Sequence, residues 1–524
     1  MRVASRRPLG PAATSDIRTA FKTFKPALAG QSGRMGLAIV LSLAVTGLEL
    51  LRPWPVTWVI DRLVAADVGA GDASSVALAP IAVFAALAML VPTLMGLANE
   101  RLELVVAKVS RKATVRIRSD VFEHVQRMEL DEHHRHYSGD LLVRVMGDVN
   151  MIRDLLFPSW LGLLSRGSTL IGGAVVFALV DWRLFLAALV PLPLLWVTVE
   201  QGSSAIKAAA GKQRKKEGAI ASSAAESLRQ VGIIKAFAAE ELTAKTFRDN
   251  ARSAERSTMA ATKQSARMSR LTEILTGGGV ALVLMLGASR VRAGLISPGE
   301  LLVAISYTRM MYKPLRKLTG EGARVAKATA CALRVIDLLD RPAEDPHRGH
   351  EVSSLAGHID LIDLHHRYPD GRGSLDGLSV RIPHGSFTAV TGENGTGKST
   401  LLSLLLRLHR PTKGEIRIGG ISIDDLRLED YRRQIAFVPQ ELALFGGTVR
   451  ENIAFGNPGA TDEQIMQAAK TALFEPVLAR MPEGLDTVLD ESGTSLSGGQ
   501  ARRLMLARAA VRDASVLLLD EPLS

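Results

Sequence analysis

The hydrophobic pattern divides the chain in two. Up to about residue 320, long apolar stretches alternate with long polar ones. Six apolar segments stand out: Met35–Leu51, continuing less cleanly to Val64; Val76–Ala98; Leu161–Val180; Leu184–Val199; Leu271–Ala288; and Leu301–Leu318. With tilt and flanks, each covers the roughly 20 residues that a bilayer-spanning helix needs. The third and fourth are joined by the tight turn "DWR"; the sixth is the most polar, and Glu273 and Arg309 fall inside the last two. The polar stretches between segments two and three, and four and five, keep helical spacing with few breakers, as in "ERLELVVAKVSRKATVRIRSDVFEHVQRM". That spacing predicts membrane helices that run on well beyond the bilayer. At "DRPAEDPHRGHEVSS", Asp340–Ser354, prolines and charges replace any apolar period, which reads as a linker. After it come short strand-like runs and glycine-rich turns, the pattern of an α/β domain. The expected fold class is therefore multi-domain: an all-α six-helix transmembrane domain, then an α/β domain. Its boundaries are a basic N-terminal segment 1–34, a transmembrane domain 35–340, a linker 341–354 and an α/β domain 355–524.

Charge fixes the expected orientation. The 524 residues carry 64 Lys+Arg against 53 Asp+Glu, a formal net charge of +11. Such a surplus fits either nucleic-acid binding or cytoplasmic loops under the positive-inside bias. Its distribution favours the loops. "AADVGAGDASS", between the first two segments, has acids and no Lys or Arg. The two long connections hold Arg101, Lys108, Arg111, Lys112, Arg116 and Arg118, then Lys207, Lys212, Arg214, Lys215, Lys216, Arg229, Lys235, Arg252 and Arg256. Six spans with both ends in the cytoplasm follow, against the short turn "SRVRAG". Nucleic acid is not an expected partner.

No cleavable signal peptide is legible before Met35, so the first apolar segment is expected to act as its own insertion signal. "DIRTAFKTFKPAL" sets Phe21, Phe24 and Leu28 on one side of a short helix, either interfacial or part of a disordered basic tail. The single cysteine, Cys331, excludes an internal disulfide and reads as a small buried hydrophobe.

Three stretches of the α/β domain carry chemistry. "TGENGTGKSTLLSLLL" fits G-x-x-x-x-G-K-[ST], with Gly392, Asn394, Gly395, Gly397, Lys398, Ser399 and Thr400 forming the loop and helix start. Glycines let backbone amides close around phosphate oxygens at a helix N-terminus. Lys398 is placed to neutralise β- and γ-phosphates and Ser399 to hold Mg²⁺. The preceding "SFTAV" reads as the strand that the motif requires. "VLLLDEP" reads as a strand buried on both faces, ending in Asp520 for Mg²⁺ and Glu521 as a general base toward the attacking water. "SLSGGQARRLMLARA" offers the Ser497 hydroxyl and the open amides of Gly498, Gly499 and Gln500 at another helix start.

In this order the three stretches resemble the ATP-binding cassette (ABC) proteins, and nearly the whole chain resembles an exporter-type half-transporter of that family. The resemblance implies bound ATP and Mg²⁺. It assigns Tyr368, in "HHRYP", to stack on adenine. It assigns Gln440, in "FVPQELALFGGTVRENIAFG", to link the Mg²⁺/γ-phosphate site to the membrane domain, acting in catalysis with Lys398 and Glu521. Metal ligands are then Ser399, Gln440 and Asp520. "YSGDLLVRVMGDV", "ESLRQVGIIKAFAAEE", "GLISPGELL" and "DRLV" resemble the membrane half of such exporters, and Glu491 falls where a loop residue meets the partner's transverse helices. The resemblance further implies a dimer, with itself or another half-transporter, in which Ser497 and Gly499 serve the ATP of the opposite chain. It implies ATP-driven export across the cytoplasmic (inner) membrane, in contact with lipid, of a small-molecule, lipid or peptide substrate that the sequence does not choose.

The family pattern continues past the acidic strand end, through a loop and a strand carrying a histidine; the chain stops at Ser524. The expectation at this point is a truncated product, or an ATP-binding subunit that hydrolyses little by itself. Glu49 and Arg309, charged residues within spans, are further candidates for the translocation path. The bland alternatives are a Glu49–Arg52 pair near the interface and an Arg309 below the membrane.

Overall fold

The structure is a computed structural model and describes residues 14–69, 78–135, 138–368, 374–489 and 496–522. Glu491 lies outside the described residues. In chain order the helical half contains α1 (Thr14–Phe24), α2 (Ser32–Leu51), α3 (Trp54–Gly69), α4 (Leu78–Arg127), α5 (Leu130–Arg135), α6 (Ser138–Val143) and α7 (Val149–Leu156). It continues through α8 (Pro158–Val180), α9 (Trp182–Leu189), α10 (Leu192–Arg229), α11 (Val231–Ala236), α12 (Glu240–Arg292) and α13 (Pro298–Leu339). Two compact units result. One comprises Met1–Phe122 with Leu142–Leu339; the other comprises Glu123–Leu141 with Asp340–Ser524.

Among the described residues, five helical stretches are long and apolar enough to cross a membrane: Ser32–Val64, Ile81–Arg127, Asp140–Val180, Trp182–Arg229 and Glu240–Arg292. α13 carries the sixth apolar segment as one continuous helix and is not among those five. The helices do run far past the apolar segments, as their spacing predicts. Their interruptions have chemical causes. Pro53 separates α2 from α3, and Pro191 separates α9 from α10, because proline has no N–H to continue the ladder.

Phe177, Leu184, Ala188, Val283, Val303, Ala304 and Tyr307 form the centre of the first unit. Glycines let its helices approach closely. A Cβ at Gly287 would stand 2.2 Å from Leu301 Cδ1, and one at Gly279 2.4 Å from Tyr312 Oη. Polar groups there are satisfied across helices. Tyr307 Oη donates to the Leu50 carbonyl (2.6 Å), and Tyr312 Oη to that of Ala188 (2.8 Å). Asp181 caps α9 by accepting from the amides of Arg183 and Leu184, and pairs with Arg290 at 2.6 Å.

Two details differ from the expectations. The α1 segment forms a helix, but Ala20, Phe24, Ala27 and Leu28 are buried against protein. Their apolar stripe is therefore consumed within the unit and does not form an interfacial face. Glu49 pairs with Lys313 (4.0 Å) and accepts from Thr169 Oγ1 (3.4 Å), not with Arg52, because α2 turns this position toward α8 and α13. Arg309 is exposed on α13. Cys331 is buried, as expected.

The second unit is the α/β one. β1 (Ile359–Arg367) and β2 (Ser374–Ile382), with β3 (Lys413–Ile418) and β4 (Ile421–Ser422), make an antiparallel sheet in the order β2-β1-β3-β4. β5 (Ile435–Val438) pairs in parallel with β8 (Val516–Leu519), and β6 (Gly447–Thr448) pairs antiparallel with β7 (Val488–Leu489). Between these strands lie α14 (Lys398–Leu405), α15 (Leu428–Arg433), α16 (Val449–Ala454), α17 (Asp462–Thr471), α18 (Glu475–Leu478) and α19 (Gly498–Ala510). Leu401, Leu404 and Leu405 of α14 pack with Leu361, Leu364, Ile416, Ile418, Tyr431, Ile435 and Leu518, so one core joins both larger sheets. A second core, around Ile453, Ile465, Phe474 and Leu504, holds the helical part together. Thr448, Thr461 and Ser497 each close a capping box at a helix start.

Candidate functional site

The phosphate loop has the backbone its glycines suggest. Gly395 (φ 87°) and Gly397 (φ 96°) occupy the left-handed region that only glycine enters cheaply, and Gly397 is the N-cap of α14. A Cβ at Gly392 would press on Thr396 Oγ1 at 2.9 Å. Lys398 Nζ donates to the carbonyls of Gly392 (2.7 Å) and Glu393 (2.8 Å), which curls the loop around its ammonium. Ser399 and Thr400 follow in the first turn of α14, where Thr400 is buried. Asn394 sits at the turn of the loop.

The expected strand before this loop does not form. Residues 386–390 pair with no neighbour among the described strands, and Phe387 is 93% exposed. A strand exists by its ladder, and no described strand runs beside this stretch. The acidic run does form a strand, β8, but only Leu518 in it is buried, while Leu517 is 57% exposed. The face that carries Leu517 is therefore uncovered, and among the described strands β8 pairs along one edge only, with β5.

That pairing nevertheless brings the acidic end and Gln440 together. Ile435↔Val516 through Val438↔Leu519 align in parallel, and the Asp520 amide continues the ladder to the Val438 carbonyl at 3.0 Å. Just past the carboxyl ends of the strands, Gln440 Nε2 donates to Glu521 Oε2 at 2.7 Å. Parallel strands gather ligand-binding groups at this end. Glu521 has a left-handed backbone (φ 45°), a strained conformation that aims its side chain. Because the Gln440 amide nitrogen is committed to Glu521, its amide oxygen is the group left for a cation. Ser399, Gln440 and Asp520 are all oxygen donors, a set that suits a hard cation such as Mg²⁺.

Sequence reasoning missed the arginines that brace this corner. Arg502 donates to the carbonyls of Glu521 (2.9 Å) and Gln440 (3.2 Å). Arg508 donates to the carbonyls of Ala443 (2.6 Å) and Asn452 (2.9 Å) and to Asn452 Oδ1 (2.7 Å). The only hint in the sequence is that both follow "SGGQ" on one helix.

Ser497 Oγ accepts from the Gln500 amide (3.4 Å), and Gln500 Oε1 accepts from the Ser497 amide (2.9 Å). Gly498 and Gly499 are exposed, and a Cβ on either meets nothing within 4 Å. Among the described residues no hydrogen bond joins this helix start to the phosphate loop. Tyr368, after β1, stands edge-on to His366 (4.9 Å, 89°) and His409 (5.1 Å, 83°).

A phosphate loop, a Gln–Glu pair beyond parallel strands and a set of membrane-length helices in one chain define a membrane protein with a phosphate-loop nucleotide domain. Comparison with known families narrows this. Residues 375–524 match the ABC transporter family and residues 35–315 the ABC transporter transmembrane region. The chain belongs to the ABC transporters, with the membrane region and the cassette fused as in exporter half-transporters. It is 30% identical over 420 residues to an ATP-dependent lipid A-core flippase of Aromatoleum aromaticum, covering 80% of this chain and 70% of that one. It is 28% identical over 432 residues to a flippase of the same description from Legionella pneumophila, covering 82% and 74%. A Bacillus subtilis ABC transporter ATP-binding protein is 30% identical over 411 residues, covering 78% and 71%.

Proposed function

We propose that the protein is an ATP-driven exporter that works as a dimer in the cytoplasmic membrane and moves an amphipathic, lipid-like substrate. The observation that carries the ATPase part is the Gln440–Glu521 hydrogen bond beside the acidic end of β8. In this reading Gly392, Asn394, Gly395, Gly397 and Thr400 shape the loop that receives the phosphates of ATP. Lys398 exchanges its loop carbonyls for β- and γ-phosphate oxygens. Ser399, Gln440 and Asp520 would hold Mg²⁺, which would neutralise charge on the phosphates. Glu521 orients and deprotonates the attacking water, and Gln440 keeps the Glu521 carboxylate in place. Tyr368 stacks on adenine. Ser497, the N-cap of α19, and Gly498, Gly499 and Gln500 of its first turn close on the ATP of the opposite chain. ATP then binds the closed dimer more tightly than the open one, and that difference drives alternating access. The partner is a second copy or another half-transporter. The membrane part is 35–340, the linker 341–354 and the cassette 355–524, with residues 1–34 cytoplasmic. The lipid class of the substrate is supported by the flippase names of the relatives.

One observation favours a second reading, an ATP-binding subunit with little turnover of its own: residues 386–390 carry no ladder into the phosphate loop. A transport assay separates the two. Proteoliposomes holding the full chain and a fluorescent phospholipid are given Mg-ATP, and lipid in the outer leaflet is bleached with dithionite. ATP-dependent redistribution that disappears in Glu521→Gln supports the exporter. Redistribution equal with and without ATP contradicts it.

A further inference from the structure

Tyr368 does not stand on an apolar bed. His366 and His409 are almost fully buried beside it, and their rings lie 5.5 Å apart. His366 Nδ1 donates to the Arg410 carbonyl at 3.0 Å, which fixes its tautomer and leaves Nε2 as an acceptor with no partner among the described residues. His409 Nδ1 lies 2.9 Å from Asp131 Oδ1, a close polar contact whose angles do not make a hydrogen bond. The loop that carries His409 and Arg410 leaves α14, the phosphate-loop helix, through the left-handed Arg407. Asp131 lies on α5, in the 123–141 segment that packs within the α/β unit. That segment is held at two further points. The Met128–Ala343 bridge joins it to the linker, and Glu132 pairs with Arg341 at 3.4 Å. The junction is not tightly filled: Asp131, His409 and Arg410 line a cavity of about 620 Å³, so the carboxylate has room to withdraw.

We infer that His409 is a positioning residue through which Asp131 of the 123–141 segment sets the orientation of the Tyr368 ring. The inference rests on the reading of Tyr368 as the adenine platform. An edge-on aromatic contact is directional. The carboxylate holds the imidazole, and the imidazole holds the tyrosine ring from the side, leaving a face for a base. Coupling of this kind is reciprocal. A change that draws Asp131 away loosens adenine stacking, and a stacked adenine holds Asp131 in place.

The test uses the full chain in lipid nanodiscs and measures binding of two ligands, Mg-ATP and Mg-tripolyphosphate; the second has the phosphates but no base. Asp131→Asn, nearly isosteric and partly exposed, and His409→Ala are compared with wild type, and His409→Phe retains a ring should the alanine variant not fold. Each of the first two is expected to weaken ATP about fivefold, the low end of ordinary coupling between sites, and to leave tripolyphosphate unchanged. Tyr368→Ala is expected to weaken ATP by roughly fivefold or more, as loss of a base-stacking ring does. In that background Asp131→Asn should add nothing. Equal weakening of both ligands, no weakening of ATP, or an Asp131→Asn effect that persists in Tyr368→Ala overturns the relay. If Tyr368→Ala itself leaves ATP binding unchanged, the platform assignment falls, and the relay with it.

Discussion

Arg508 offers the sharpest energetic test. Its guanidinium sits 5.1 Å from the centre of Phe445 and 5.6 Å from that of Phe455, and donates three hydrogen bonds to Ala443 and Asn452. No carboxylate pairs with it among the described residues, and burial pulls its pKa below the ordinary arginine value. The fork is therefore stabilised by carbonyl and ring geometry, not by a countercharge. Hydrogen bonds to a charged group contribute about 1.5–3 kcal/mol each, and each ring contact about 0.5–1 kcal/mol. Lysine keeps the charge and one direction of donation but not the planar fork. Arg508→Lys therefore forfeits two of the three bonds and most of the stacking. Discounted for partial solvent access, that is about 3 kcal/mol. For a unit of about 200 residues this lowers Tm by about 6–10 °C. Differential scanning calorimetry of the full chain in nanodiscs, following the transition that ATP shifts upward, measures it. Because Arg508 shapes the stretch that follows Gln440, ATPase activity should fall as well. A shift within about 1 °C of wild type would refute the reasoning, since charge alone would then suffice.

Three further outcomes are expected. Asp181→Ala removes an N-cap and leaves Arg290 without its closest partner, costing about 3 kcal/mol; it should lower Tm in the same calorimetric scan, with Asp181→Asn recovering part of the capping loss. Thr461→Ala breaks the capping box of α17 and should cost about 1 kcal/mol, read from the cassette transition. Burial, aided by Asp148, pushes the Cys331 thiol up to about 11. Its folded pKa lies above the unfolded value, so its contribution is full below about pH 8.5 and is lost as pH rises toward 11. Iodoacetamide at pH 8 should leave Cys331 intact in folded protein and alkylate it after denaturation.

Periodicity and chemistry were legible to different depths. The long helices follow from apolar segments flanked by helically spaced polar stretches, and Pro53 and Pro191 mark where they break. The phosphate loop was legible because Gly395 and Gly397 are required by φ and Gly392 by its close approach to Thr396, and all three fall at the motif's spacing. The strand at 386–390 was not, because a strand depends on a neighbour that its own residues do not encode. The apolar run Val516–Leu519 does form strand β8, but an apolar run does not tell which of its faces finds a cover, and Leu517 stays exposed. The α1 stripe shows the converse: an amphipathic face tells that something covers it, not whether lipid or protein does. Glu49 was flagged as a charge within a span, but Lys313, far along the chain, was not visible as its partner. Arg502, Arg508 and His409 act through backbone carbonyls and ring edges, which leave no spacing signature.

The most direct test of the central claim is ATP hydrolysis by the full chain in lipid nanodiscs, beside Lys398→Ala and Glu521→Gln. The account predicts steady turnover in wild type, loss of nucleotide binding and turnover in Lys398→Ala, and retained binding with turnover reduced at least about a hundredfold in Glu521→Gln. Turnover in Glu521→Gln equal to wild type, or ATP binding by wild type with no turnover at all, would contradict it.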